Sequence, residues 1–206
     1  MKISRNISLV CALALPFTAG VAGNTLAAFA QATDAAAKAP AVIYIIRHAE
    51  KLPGDEKNPD LTPVGFKRAD ALPSLFVAPK GSSQPPRLLR PDVIFAADTS
   101  KHSNRPIETV TPLSRALQLP IDHDYLDKEN AAIAKELLSG KYAGKIVLIC
   151  WRHSEIPSLT AALGVADAPA KWDEAVFDQI WKIQWVDGKV QLTTMPEQLL
   201  PGDATK

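Results

Sequence analysis

Apolar positions in this chain fall into two kinds of run. Val42-Ile43-Tyr44-Ile45-Ile46 and Ile146-Val147-Leu148-Ile149-Cys150-Trp151 are continuous and rich in β-branched residues. Strands buried on both faces of a parallel sheet read this way. Val93-Ile94-Phe95-Ala96 is a shorter run of the same kind. Between the runs, apolar residues recur three and four apart. Thr62-Pro63 opens the first such segment as cap and first-turn proline. Ala69, Leu72, Leu75 and Phe76 form its stripe, with Pro73 placed to kink or end the helix. Residues 79–91, with four prolines and Gly81, predict a loop.

Ser103 or Asn104 is placed to cap a second helix that has Arg105-Pro106 in its first turn, and Pro112 is expected to restart or bend it before Leu117. Ile121 falls in a brief extended piece. Asp127 to Leu138 reads as an alanine-rich helix, with Gly140 near its C-cap. A strand over 145–150 follows, then a helix from about Pro157 to Gly164. Gln179 to Val186 and Lys189 to Met195 flank Asp187-Gly188, a hairpin signal. Alternating strands and helices predict an α/β fold: three layers, with five clear strands in one mostly parallel central sheet and helices on both faces.

The N-terminus changes the picture. Lys2 and Arg5 precede an apolar stretch from Ile7 to about Leu15, and Ala28-Phe29-Ala30 has the small-x-small pattern of a cleavage site. Residues 1–30 therefore read as a secretory signal peptide. Pro16, Gly20, Gly23 and Asn24 interrupt the stretch, which falls short of the ~20 apolar residues of a membrane span. The expectations are a leader over 31–40, one domain over 41–206, and a periplasmic or secreted product with no stable membrane association. The other bulk numbers are those of an ordinary soluble domain: 206 residues, 47% hydrophobic and 22% charged. Cleavage removes Lys2 and Arg5 and takes the formal net charge from +1 to −1, which gives no electrostatic case for nucleic acid. Cys11 leaves with the signal peptide. Cys150 is then alone and reads as a small core residue.

Candidate chemistry sits where two strands end. The first long run leads into Arg47-His48 and the second into Arg152-His153. Ligands of open α/β sheets bind just past the carboxyl ends of the strands, so two imidazoles and two guanidiniums are expected on one rim. Forked arginines suit phosphate oxygens, and a neutral imidazole can attack phosphorus. The chain has no H-x-H, H-E-x-x-H or Cys/His cluster with metal-ligand spacing.

Arg47-His48-Ala49-Glu50, Leu61-Thr62-Pro63-Val64-Gly65, Arg105-Pro106-Ile107-Glu108-Thr109-Val110 and the segment from Val147 to Pro157 around His153 follow one another in order. Together they resemble the histidine phosphatase superfamily, the phosphoglycerate-mutase-like fold, in its first branch. The resemblance implies a phosphatase that forms a phosphohistidine on His48. It assigns Arg47 and Arg105 to the phosphate oxygens and a protonated His153 to the growing transition-state charge. It implies no cofactor and no metal. Arg152 stands where the family has a small residue; it either adds a cationic contact or faces solvent. Glu155 is a candidate general acid, with Asp122, Asp124, Asp127 and Glu129 in the other eligible window. The expected substrate is a small-molecule or glycan phosphoester. A non-catalytic phospho-ligand-binding protein and a protein phosphohistidine phosphatase are the alternatives. His102 and His123 lack a motif and read as surface residues, and Trp172, Trp181 and Trp185 as core and sheet-face residues.

Overall fold

A computed structural model of the chain describes residues 36–52, 54, 58–100 and 103–204. The expected signal peptide, the first half of the expected leader (31–35) and His102 lie outside the described residues. At the leader's end the expected looseness stops early: Ala39 is buried, and its carbonyl accepts from the Gly144 N–H at 3.1 Å.

Six strands form one sheet in the order β3-β2-β4-β1-β5-β6. They are β1 (Val42–Arg47), β2 (Val93–Ala96), β3 (Ile121–Asp122), β4 (Ile146–Trp151), β5 (Gln179–Val186) and β6 (Lys189–Pro196). The first four run parallel, while β5 is antiparallel to β1 and β6 to β5. The two long apolar runs are neighbours at the centre. Side chains alternate across each. Ile43, Ile45, Val147, Ile149 and Trp151 serve one core, and Val42, Tyr44, Ile46, Leu148 and Cys150 serve the other. Cys150 is fully buried, as expected.

Helices cover both faces. Helix α1 (Pro63–Ala71) starts as the sequence predicts: the Thr62 hydroxyl accepts from the Gly65 N–H at 3.1 Å. The α-helix ends at Ala71, and Pro73 lies in a 3-10 turn, Leu72–Leu75. Helix α2 (Arg105–Leu117) passes through Pro112 without a restart. Its buried Val110, Leu113 and Leu117 anchor it on one core strongly enough to outweigh the lost ladder bond. Helices α3 (Asn130–Leu137) and α4 (Ile156–Ala162) pack on the opposite core. Helix α3 begins three residues later than the alanine pattern suggests, because 127–128 form a turn instead. Asp187 and Gly188 both adopt positive φ, 51° and 74°, and close the expected hairpin. Trp172 and Trp181 are buried with ring centroids 5.2 Å apart, and Trp185 packs against the same core.

Candidate active site

The register of the two central strands builds the site. Arg47 lies opposite Trp151, so residues 48 and 152 leave the sheet side by side. The His48 N–H donates to the Trp151 carbonyl at 3.1 Å, and on the other flank of β4 the Ala97 N–H donates to the Cys150 carbonyl at 3.1 Å. Three parallel strand ends thus open onto one cleft of about 490 Å³, which His48, Arg105 and His153 all line. The N-terminal turn of α2 and the loop at 126–128 complete its walls.

His48 is buried, and its Nδ1 lies 2.7 Å from its neighbour's carbonyl, Ala49 O. A carbonyl only accepts, so Nδ1 carries the hydrogen and Nε2 keeps its lone pair. Burial pushes the His48 imidazole down to about 3; Arg47, Arg105 and His153 push the same way, against the Ala49 hydrogen bond. His48 is therefore neutral at physiological pH. Burial, followed by Arg47, Arg152 and Lys51, also lowers His153, to about 4. The expectation from the sequence is a His153 protonated beside a phosphoryl group; its protein surroundings by themselves favour the neutral form. Its Nδ1 is buried with no hydrogen-bond partner.

Arg47 is 1% exposed and does not line the cleft. It lies behind the wall, close enough for its charge to act on both imidazoles. Its Nη1 donates to the carbonyls of Glu174 at 2.5 Å and Val176 at 3.0 Å, and its guanidinium stacks 3.6 Å from the centroid of the Phe177 ring. Nε and Nη2 are buried without a hydrogen-bond partner, a costly state for a cationic donor. Arg105, also buried, donates from Nη1 to Asn58 O at 2.8 Å.

The remaining predicted residues take different places. Arg152 lines the cleft with a half-exposed side chain and donates to Asp127 at 3.2 Å. Glu155 does not line it: its carboxylate accepts from Asn130 Nδ2 at 2.9 Å, on the helix side. Of the other candidate carboxylates, only Asp127 is at the cleft. His123 is exposed, as expected, and its Nδ1 lies 2.9 Å from Asp98 Oδ1.

The motif spacings have visible causes. In α2, the Thr109 hydroxyl donates to the Arg105 carbonyl at 2.7 Å and accepts from the Ala49 N–H at 2.9 Å. One side chain four residues on thus locks the loop after His48 to the helix that carries Arg105. Glu108 accepts from the Leu61 N–H at 2.9 Å. A Cβ on Gly65 would lie 2.6 Å from Glu50 O, so only glycine lets α1 pack there. Sequence reasoning missed Lys51, Lys128 and Asp98 at the cleft and Phe177 beneath Arg47. Lys51 follows the first motif without being part of it, Lys128 falls in a stretch that reads as helix, and Asp98 and Phe177 stand in no patterned segment. Among the described residues, no group of three or more His, Cys, Asp and Glu could hold a metal ion, and no helix is long and apolar enough to cross a membrane.

No family model matches the chain, and no curated protein matches it. Solved structures do. The protein histidine phosphatase SixA complexed with tungstate matches at a TM-score of 0.50 and 16% identity, over 76% of this chain and 97% of that one. The alpha-ribazole phosphatase from Shigella flexneri matches at 0.50 and 16%, over 75% and 96%. A mutant phosphoserine phosphatase from Entamoeba histolytica in complex with phosphoserine matches at 0.51 and 15%, over 74% and 94%. The chain shares their fold. It is the three-layer, phosphoglycerate-mutase-like α/β arrangement, with the antiparallel pair β5 and β6 at one end of the sheet.

Proposed function

We propose that the chain belongs to the histidine phosphatase superfamily and hydrolyses a phosphomonoester through a phosphohistidine on His48. The observation that carries this reading is the Nδ1 hydrogen bond of His48 inside a cleft shared with Arg105 and His153. It leaves Nε2 unprotonated and free to attack. The Nε2 lone pair forms a bond to phosphorus as the ester P–O bond breaks, and the leaving oxygen takes a proton from water. Water then attacks the phosphohistidine, the P–N bond breaks, and inorganic phosphate departs. Arg105 holds the equatorial oxygens, with the Arg47 charge behind them. A phosphate dianion beside His153 counteracts the burial and the neighbouring cations that keep it neutral, so His153 takes up a proton as substrate binds.

Asp98 is a poor proton donor for the leaving group: the Thr99 backbone N–H, then His123, hold its carboxyl below the usual range. Asp127 is engaged with Arg152, and Glu155 is outside the cleft. Leaving groups that need no acid fit such a site, so aryl phosphates react faster than alkyl phosphates. Replacing His48 with Ala abolishes hydrolysis of an aryl phosphate, and acid quenching of the wild type with a labelled ester traps acid-labile phosphate. Full activity in the variant refutes the mechanism. The same shortage of a cleft acid favours a second reading, a phospho-ligand-binding protein, for which tight binding without turnover is the expected result.

An exported product, the reading the N-terminal sequence supports, directs the search toward nutrient phosphoesters and phosphorylated envelope glycans. A protein phosphohistidine phosphatase fits the compact cleft, and SixA has this fold; export sets it apart from cytoplasmic phosphorelay proteins.

A further inference from the structure

The cleft carries more positive charge than one phosphoryl group requires, and the charge lies at two depths. The inner set is Arg105, buried beside His48, with Arg47 behind the wall. The outer set is Arg152 and Lys128, both exposed, with the half-buried Lys51; all three line the cleft. Only Asp98 and Asp127 among the lining residues are acidic.

Arg152 is held rather than neutralised. Its Nη1 donates to Asp127 at 3.2 Å, in a pair whose side chains are 49% and 32% exposed. Its other guanidinium N–H groups make no hydrogen bond to any described residue. Asp127 thus fixes one corner of the fork and leaves donors available for a planar anion. Position follows from register: Arg47 and Trp151 are the last paired residues of β1 and β4, so residues 48 and 152 are the first to leave the two adjacent strands. A long side chain from that point, half in solvent, reaches the rim rather than the floor. Leu126, half-exposed, lines the same cleft and offers an apolar contact for a short carbon linker.

We infer that the physiological phosphoester carries a second anionic group, a carboxylate or another phosphate, which Arg152 holds at the rim while the transferring phosphoryl sits at His48. This deepens the phosphoester reading of the same cleft and rests on it. It also gives a reason for an arginine where the resembling family has a small residue.

Binding tests the contact without requiring turnover. Propylphosphonate, 4-phosphonobutyrate and propane-1,3-bisphosphonate share a three-carbon chain on phosphorus and differ only in what ends it. Calorimetry on the mature chain is expected to show roughly tenfold tighter binding of one or both two-ended ligands than of propylphosphonate, the size of one charge-assisted hydrogen bond. Which ligand gains identifies the second anion as carboxylate or phosphate. Arg152→Gln closes that gap, Arg152→Lys restores part of it, and added salt narrows it. Equal affinities for all three ligands in the wild type overturn the inference. So does an equal loss for all three in Arg152→Gln, which makes Arg152 a contact to the phosphoryl itself. Hydrolysis of phenyl phosphate is followed in parallel. Its absence overturns the phosphatase reading, while the ligand series decides the Arg152 contact on its own.

Discussion

One hydrogen bond gives the two nitrogens of His48 different roles, and the surroundings keep both it and His153 neutral. That neutrality has a sign in the pH dependence of stability. Burial first, then neighbouring cations, lowers the two imidazoles to about 3 and about 4 from an ordinary 6.5. The unfolded chain therefore binds more protons than the folded one below 6.5, and stability falls as pH drops from there toward 3. His153→Asn is expected to flatten part of this acid loss, read as melting temperature against pH between 7 and 4; an unchanged profile shows that His153 is not held neutral. The cleft residues His48, Arg152 and His153 were legible in the sequence because strand ends and dipeptides mark them. Arg47 was legible as a residue but not as a place. Nothing in its sequence says that Phe177 and the carbonyls of Glu174 and Val176, about 130 positions later, hold it behind the wall.

Elements matter here through the few atoms by which they touch. Helix α1 approaches the loop after His48 at Gly65, where a methyl group would meet Glu50 O at 2.6 Å. Gly65→Ala is expected to cost about 1–3 kcal/mol as the loop gives way and to lower activity with it; thermal unfolding and aryl phosphate turnover measure the two. Thr109→Val keeps the shape of α2 but strands the buried Ala49 N–H, at a cost of about 1–3 kcal/mol, with the larger effect on turnover because residue 49 holds the His48 ring. Both motifs were legible as spacings, since L-T-x-x-G and R-x-x-x-T are local. The start of α3 was not. An alanine-rich pattern suits a helix from Asp127, but that stretch is drawn into the cleft wall, where Asp127 and Lys128 line the site. Tertiary contact overrode propensity there. Pro112 misled in the other direction, because burial of its helix outweighs a single missing donor.

Across the whole molecule, residues distant in sequence close around Arg68. Its guanidinium meets Glu50 at 2.8 Å, Glu197 at 3.2 Å and Asp203 at 2.8 Å, tying the loop after His48 to the C-terminal segment. Three carboxylates around one cation leave a surplus of negative charge. Complete burial, with Asp203 and Glu50 nearby, outweighs Arg68 and pushes the Glu197 carboxyl up to about 8. A raised acid binds its proton more tightly when folded, so stability falls as pH rises from about 4.5 through 8. Glu197→Gln is expected to remove that alkaline loss, measured by denaturant unfolding at pH 6 and pH 9, and a steeper loss in the variant contradicts the assignment. No periodicity announces such a cluster, because charges 50 to 200 positions into the chain share no local pattern. Topology has a further consequence. The central strand β1 is synthesised first among the six, yet both its neighbours, β4 and β5, follow about a hundred residues later or more. Until then the apolar run of β1 lacks both of its strand partners. When half of the polypeptide has been synthesised, β1 and His48 are in place but β4 and His153 are not, so the cleft cannot assemble until the second half of the chain arrives.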